Sequence, residues 1–160
     1  MRVRSAVAVE LDELMTLFDS AKAFMRQRGN AGQWKDYPPR ELIAADIAAG
    51  ECFVLEEEET VQGVFVFSHR RDEEYERSEA GFDGGAYATV HRLASAGKRQ
   101  GVFLAALDYA TAHADCLRVD THVNNLVIRE KLAAYGFVQK GRLERFGEQF
   151  LTYEWRKKEK

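Results

Sequence analysis

The chain is poor in the features that would define several protein classes outright. Its 160 residues contain two cysteines and two prolines, and no apolar run nears the roughly 20 residues of a membrane-spanning helix. Membrane insertion is not expected. Cys52 and Cys116 lie far apart with no CxxC pair, which argues against a disulfide scaffold or a zinc ribbon and predicts two buried or inert thiols in a reducing compartment. There is no continuous basic stripe either. The net charge is -3, and the basic clusters are short: "HRR" at 69–71, "KR" at 98–99 and "RKK" at 156–158. A nucleic-acid partner is therefore not expected. The opening "MRVRSAVAVELDEL" has no apolar core and no small-residue cleavage pattern, so it reads as mature sequence and predicts a cytoplasmic location. Walker-type "GxxxxGK[ST]" is absent, as is any internal repeat.

The residues that are present fit a globular protein. Hydrophobic residues make up 46% and charged residues 31%, and the length suits a single domain over residues 1–160 with a core of its own. A first strand is expected near Val3 to Val9. Leu11, Leu14, Met15, Phe18, Ala21 and Met25 then recur at three and four, predicting an amphipathic helix that ends at Gly29. "NAGQWKDYPP" reads as a loop, after which Pro38 and Pro39 open a helix from Arg40 to Ala49. "ECFVLEEEE" and "VQGVFVFSH" predict a hairpin around an acidic turn at Glu58 to Thr60, and "RRDEEYERSEAGFDGGA" reads as a long loop, functional or mobile.

From Tyr87 the order becomes strand, loop, helix and strand, a right-handed crossover with parallel strands. Phe103, Ala106, Leu107 and Ala110 are expected as the buried face of that helix, with Phe103 its first core residue. A further helix from Leu126 to Tyr135 is closed by Gly136, and "FVQKGRLERF" and "QFLTYEWR" read as final strands. The fold class is α/β, one domain built on a mixed sheet.

Two stretches carry chemistry. In "HRLASAGKRQGVFLAAL" a strand runs through a basic loop into a helix, whose unpaired N-terminal N–H groups and dipole can hold a pyrophosphate beside Lys98 and Arg99. In "DTHVNN" Asp120 and His122 alternate with Thr121 and share one side of a strand end, while Asn125 stands where a helix begins. His122 is either a surface histidine or a proton acceptor, and Asn125 suits a helix cap. His91 needs no more than its place in a strand to explain it, and a metal on His91, Asp120 and His122 lacks the helical HxxxH spacing, so none is expected. Trp34, Tyr37 and the acids Asp72, Glu73, Glu74, Glu76 and Glu79 form either a wall for a cationic amine or a solvated face.

These motifs and their order, with the helix end "KLAAYGF", resemble the Gcn5-related N-acetyltransferases (GNAT) over nearly the whole chain, and in particular bacterial members with an "HRIA" strand and a "DTHxDN" strand end. The resemblance implies a mixed, mostly antiparallel sheet splayed between its fourth and fifth strands. It also implies that acetyl-coenzyme A (acetyl-CoA) sits in the opening and passes its acetyl group directly to a small-molecule amine. By that resemblance Leu93, Ala94, Ser95, Lys98, Arg99, Gln100, Gly101, Val102 and Phe103 hold the cofactor. Asn125 would bond the pantetheine arm, and Trp34, Tyr37 and His91 would meet the acceptor. His122 would act as base, held by Asp120 or a backbone group. The chain departs from the family pattern twice: Phe103 stands where Gly or Ala is usual, and Leu132 where many members place the Tyr that protonates the leaving thiolate. Tyr153 or water would supply that proton. A homodimer is compatible with this reading. The departures keep a second class open, a non-catalytic module that binds an acyl cofactor or a protein.

Overall fold

The computed structural model describes residues 1–27 and 37–158. Seven strands form one sheet in the order β1-β2-β3-β4-β5-β7-β6. These are β1 (Arg2–Ser5), β2 (Cys52–Glu57), β3 (Thr60–Ser68), β4 (Ala88–Ser95), β5 (Cys116–His122), β6 (Val138–Arg145) and β7 (Glu148–Arg156). The helices are α1 (Leu11–Gln27), α2 (Arg40–Ala48), α3 (Val102–Ala112) and α4 (Leu126–Tyr135). All neighbouring strands are antiparallel except β4 and β5. The expected α/β single-sheet architecture is the one observed.

The sheet divides the core by the alternation of its strands. Leu55, Phe65, Val90 and Val119 face α3 and α4 in one cluster, while Val54, Val64 and Ala94 face Leu14, Phe18 and Ile43 of α1 and α2. A third cluster lies under the segment between β3 and β4, where Tyr75 and Ala80 pack with Tyr87, Leu143 and Phe150.

Three expectations need correction. The first strand stops at Ser5, because Ala8–Glu10 turns into one 3-10 helix in which the Glu10 carboxylate accepts the Val7 N–H at 3.0 Å. The long acidic segment is anchored and not structureless. It contains a 3-10 turn at Ser78–Ala80, and Tyr75 and Ala80 are fully buried. Beneath it, the buried Arg118 guanidinium sits against the Phe82 and Tyr87 rings, donates to Asp83 O and pairs with Glu154 at 2.8 Å. The first core residue of α3 is Val102 and not Phe103. Gly63 on β3 leaves the space for it, since a Cβ there would lie 2.5 Å from Val102 Cγ1. Phe103 is only partly buried, at the edge of the core, with Lys131 Nζ of α4 5.8 Å from its ring centre.

Candidate active site

β5 is treated differently on its two sides. Against β7 it is paired at all seven residues, from Cys116↔Arg156 to His122↔Phe150. Against β4, among the described residues, it is paired only at Ala88↔Leu117 and Thr89↔Arg118, after which the strands part. β4 also carries a bulge. Between the pairs Val66↔His91 and Val64↔Ala94 one residue of β3 faces two of β4, and Arg92 takes a left-handed φ of 50°. A bulge bends its strand and re-aims side chains. Here it turns two consecutive residues, His91 and Arg92, to the same side of the sheet, where both line a cleft of about 480 Å³.

The cleft is built from paired charges. Asp72, carried over the sheet by the anchored segment, accepts from His91 Nε2 at 2.9 Å, and His91 Nδ1 lies 3.9 Å from Asp120 Oδ1 across the parted strands. Asp120 is itself held by the Tyr75 hydroxyl and by Arg145 at 2.8 Å, and Arg145 also bonds Glu74. Arg92 forks onto Asp46 of α2 at 2.8 and 3.2 Å and donates to the Tyr37 hydroxyl, while Arg70 pairs with Glu51. Burial pushes the Asp72 carboxyl up, but His91, the Glu74 N–H and Arg145 outweigh it and hold it below the usual range. Burial, and then the Asp120 charge, keep the Tyr75 phenol well above its ordinary value. Of the acidic residues expected as a wall, Asp72 and Glu74 turn inward onto cations, whereas Glu73, Glu76 and Glu79 are exposed. Tyr37 lines the cleft, and Trp34 lies outside the described residues.

The other side of the parted strands meets the start of α3. Gly97 and Gly101 have φ of 78° and 90°, and a Cβ on either would meet nothing within 4 Å, so the loop they shape is open. The N–H of Ala105 reaches back to Gly101 O at 2.9 Å, so the N–H groups of Val102, Phe103 and Leu104 precede the first helical bond. Lys98, Arg99 and Gln100 are exposed beside them. Arg99 is ion-paired to Glu57 at the end of β2. Ser95 Oγ accepts the Gly97 N–H at 3.0 Å, Leu93 packs on the α3 side, and Ala94 is buried on the opposite face. Such a loop and bare helix end fit an anionic pyrophosphate. Asn125 caps α4, its Oδ1 accepting from the Ile128 N–H at 3.3 Å.

The remaining candidates are placed as follows. His122 is 3% exposed, edge-on to Phe150, and its Nδ1 accepts the Asn124 N–H at 3.0 Å. The neutral ring thus carries its proton on Nε2, 3.6 Å from Glu148 Oε2. Its partner is a backbone group, because Asp120 is committed to Tyr75 and Arg145. Tyr153 is buried on β7, its hydroxyl accepting from Arg129 Nε at 3.2 Å, and Arg129 also reaches Val123 O just past β5. Leu132 is core, and Tyr135 ties α4 to Asp108 and Thr111 of α3. Cys52 and Cys116 are buried free thiols, and burial pushes the Cys52 thiol up to about 12. Sequence reading missed the bulge at Arg92, the Asp72–His91 pair and the role of Arg145. The one local signal was the density of polar residues between Ser68 and Tyr87.

A mixed seven-stranded sheet that opens between a parallel central pair, with a bare helix start beside the gap, is the fold of the Gcn5-related N-acetyltransferases. A GNAT-family acetyltransferase from Streptococcus agalactiae superposes with a TM-score of 0.84 at 26% identity, covering 99% of this chain and 96% of that one. A GNAT-family acetyltransferase from Listeria monocytogenes is similar with a TM-score of 0.73 at 18% identity, over 97% and 94% of the two chains. The protein yncA from Salmonella typhimurium, solved with its cofactor acetyl-CoA, matches with a TM-score of 0.65 at 13% identity, over 99% and 95%. No family model matches the sequence. No curated protein matches it either. Among the described residues no helix is long and apolar enough to cross a membrane.

Proposed function

We propose that the chain transfers an acetyl group from acetyl-CoA to the amine of a small molecule in the cytoplasm, and that it sits beside the family members with an "HRIA" strand and a "DTHxDN" strand end. The observation that carries this reading is the two-rung ladder between β4 and β5. It leaves a passage through the sheet with an anion-binding helix start on one side and a polar cleft on the other. The residues around the helix start suit the cofactor: the α3 N–H groups with Lys98 and Arg99 for the pyrophosphate, the strand end Leu93 to Ser95 and Asn125 for the arm. When bound, acetyl-CoA supplies the acetyl group as a thioester.

The proton inventory favours His91 over His122 as the base. Asp72 fixes the ring of His91 through Nε2 and leaves the Nδ1 lone pair to take the proton of the incoming ammonium, whereas the Nδ1 lone pair of His122 is already engaged. Asp120 Oδ1 stands 3.9 Å from the His91 Nδ1. As the new C–N bond forms and the C–S bond breaks, the departing sulfur needs a proton. Tyr153, with its hydroxyl near the end of β5, or water can provide it, since a thiol of pKa about 8.5 needs little help.

The test is coenzyme A affinity by calorimetry together with thiol release from acetyl-CoA over a panel of amines. Affinity with turnover supports the enzyme, and absence of affinity sinks it. Phe103 and Leu132 favour a second reading, a non-catalytic acyl-CoA-binding or protein-interaction module. Affinity without turnover on any amine supports that one. Sedimentation of the same samples decides between monomer and homodimer.

A further inference from the structure

The hairpin between β6 and β7 turns through two residues with positive φ, Phe146 at 56° and Gly147 at 73°. Such a turn favours Asn, Asp or Gly at both places, and a bulky residue in the left-handed region is strained. The β2–β3 hairpin meets the same demand with Glu58 and Glu59, whose side chains simply extend into solvent. Phe146 gains no core burial in return. It is 54% exposed, and its ring lies 5.6 Å from that of Tyr37, where both line the cleft that holds His91. Its position is fixed from behind: Arg145, the residue before it, is bonded to Asp120 and Glu74. Strain retained at a cleft is an observation from which function can be inferred.

The charges of the cleft point the same way. The lining carries four carboxylates, Glu51, Asp72, Glu73 and Glu74, against four guanidinium groups, Arg70, Arg71, Arg92 and Arg145, so a polycation meets as many positive as negative groups along it. Selectivity then falls to the apolar surface. Resting on the transferase reading, we propose that Phe146 and Tyr37 form the apolar wall of the acceptor site, and that the acceptor is a primary monoamine bearing an apolar ring.

The experiment measures binding of ethylamine, 2-phenylethylamine and spermidine by calorimetry in the parent, Phe146→Asn and Phe146→Tyr, alongside acetyl transfer to each amine. In the parent, 2-phenylethylamine should bind at least roughly tenfold more tightly than ethylamine or spermidine. Phe146→Asn should abolish that preference while raising the melting temperature, because Asn accepts the left-handed turn, and Phe146→Tyr should keep the preference. Equal binding of the three amines in the parent, no binding of 2-phenylethylamine, or a preference that survives Phe146→Asn overturns the wall. If the ring preference depends on Phe146 but no amine is acetylated, the wall stands and the transferase reading falls. If all three amines are acetylated without preference, the reverse holds.

Discussion

The two flanks of β5 share one strand and one sequence, yet one is closed along its whole length and the other is open after two rungs. The strand itself is therefore not what opens the sheet. On the β7 side the buried Arg118–Glu154 pair and the Val119↔Tyr153 and Thr121↔Leu151 pairs hold the seam with satisfied, buried groups. On the β4 side the bulge at Arg92 bends the neighbour away, and the gap is filled by His91 and Asp120, polar groups that an acceptor and a reacting carbonyl could use. Stability and, on the transferase reading, chemistry are thus assigned to opposite edges of one strand.

That assignment can be broken from either edge. The largest effect is expected at the open seam: His91→Ala should lower the rate of acetyl transfer by about 10²–10⁴-fold, measured by thiol release on folded protein. A comparable loss in His122→Ala with His91→Ala near normal would return the base to His122. At the closed seam Glu154→Ala leaves the buried Arg118 charge without its main partner and should cost about 3–5 kcal/mol of stability in denaturant unfolding, while folded protein keeps its turnover. Gly63→Ala sharpens the comparison, because the added Cβ must displace Val102 at the start of α3. It should cost about 1–3 kcal/mol and weaken coenzyme A binding together, by calorimetry.

Asp72→Asn tests the pH dependence. The Asp72 carboxyl is held below its ordinary range in the fold, so its stabilising contribution is complete above the unfolded value near 3.9 and is lost as the pH falls through the folded value. Parent and variant should differ in melting temperature at neutral pH and converge as the pH falls below the ordinary carboxylate range. The smallest effect is expected from Glu57→Gln. It releases Arg99 from an exposed ion pair and should tighten coenzyme A binding a few-fold at low salt and not at high salt.

The sequence was legible where structure is local. The order of strands and helices, the Gly136 helix end and the hairpin at Glu58 follow from periodicity and turn residues over a few positions. The parting of β4 from β5 came from a resemblance and not from the residues themselves, because a bulge is defined only against the partner strand. The Asp72–His91 pair spans 19 positions and needs the anchoring of Tyr75 and of Arg118 beneath the segment that carries Asp72, none of which has a periodic signature. For the same reason His122 drew more attention than His91. Both sit in strands, and only tertiary placement shows which one faces an orienting carboxylate. Phe103 was misjudged as the first core residue because helical spacing alone cannot choose between adjacent residues. The space opened by Gly63 made that choice.

The close contact between the Ser78–Ala80 turn and β6 has a consequence for which residues can stand there. Gly81 and Gly141 lie back to back: a Cβ on Gly141 would sit 2.3 Å from Glu79 O, and one on Gly81 would sit 2.4 Å from Lys140 O. The turn therefore packs backbone to backbone on one face of β6, the last strand of the sheet, beside the register shift between Gln139 and Gly141 in its ladder with β7. Neither glycine can carry a side chain without parting the turn from the strand, so the segment that brings Asp72 to the cleft is fixed to the sheet through two bare backbones.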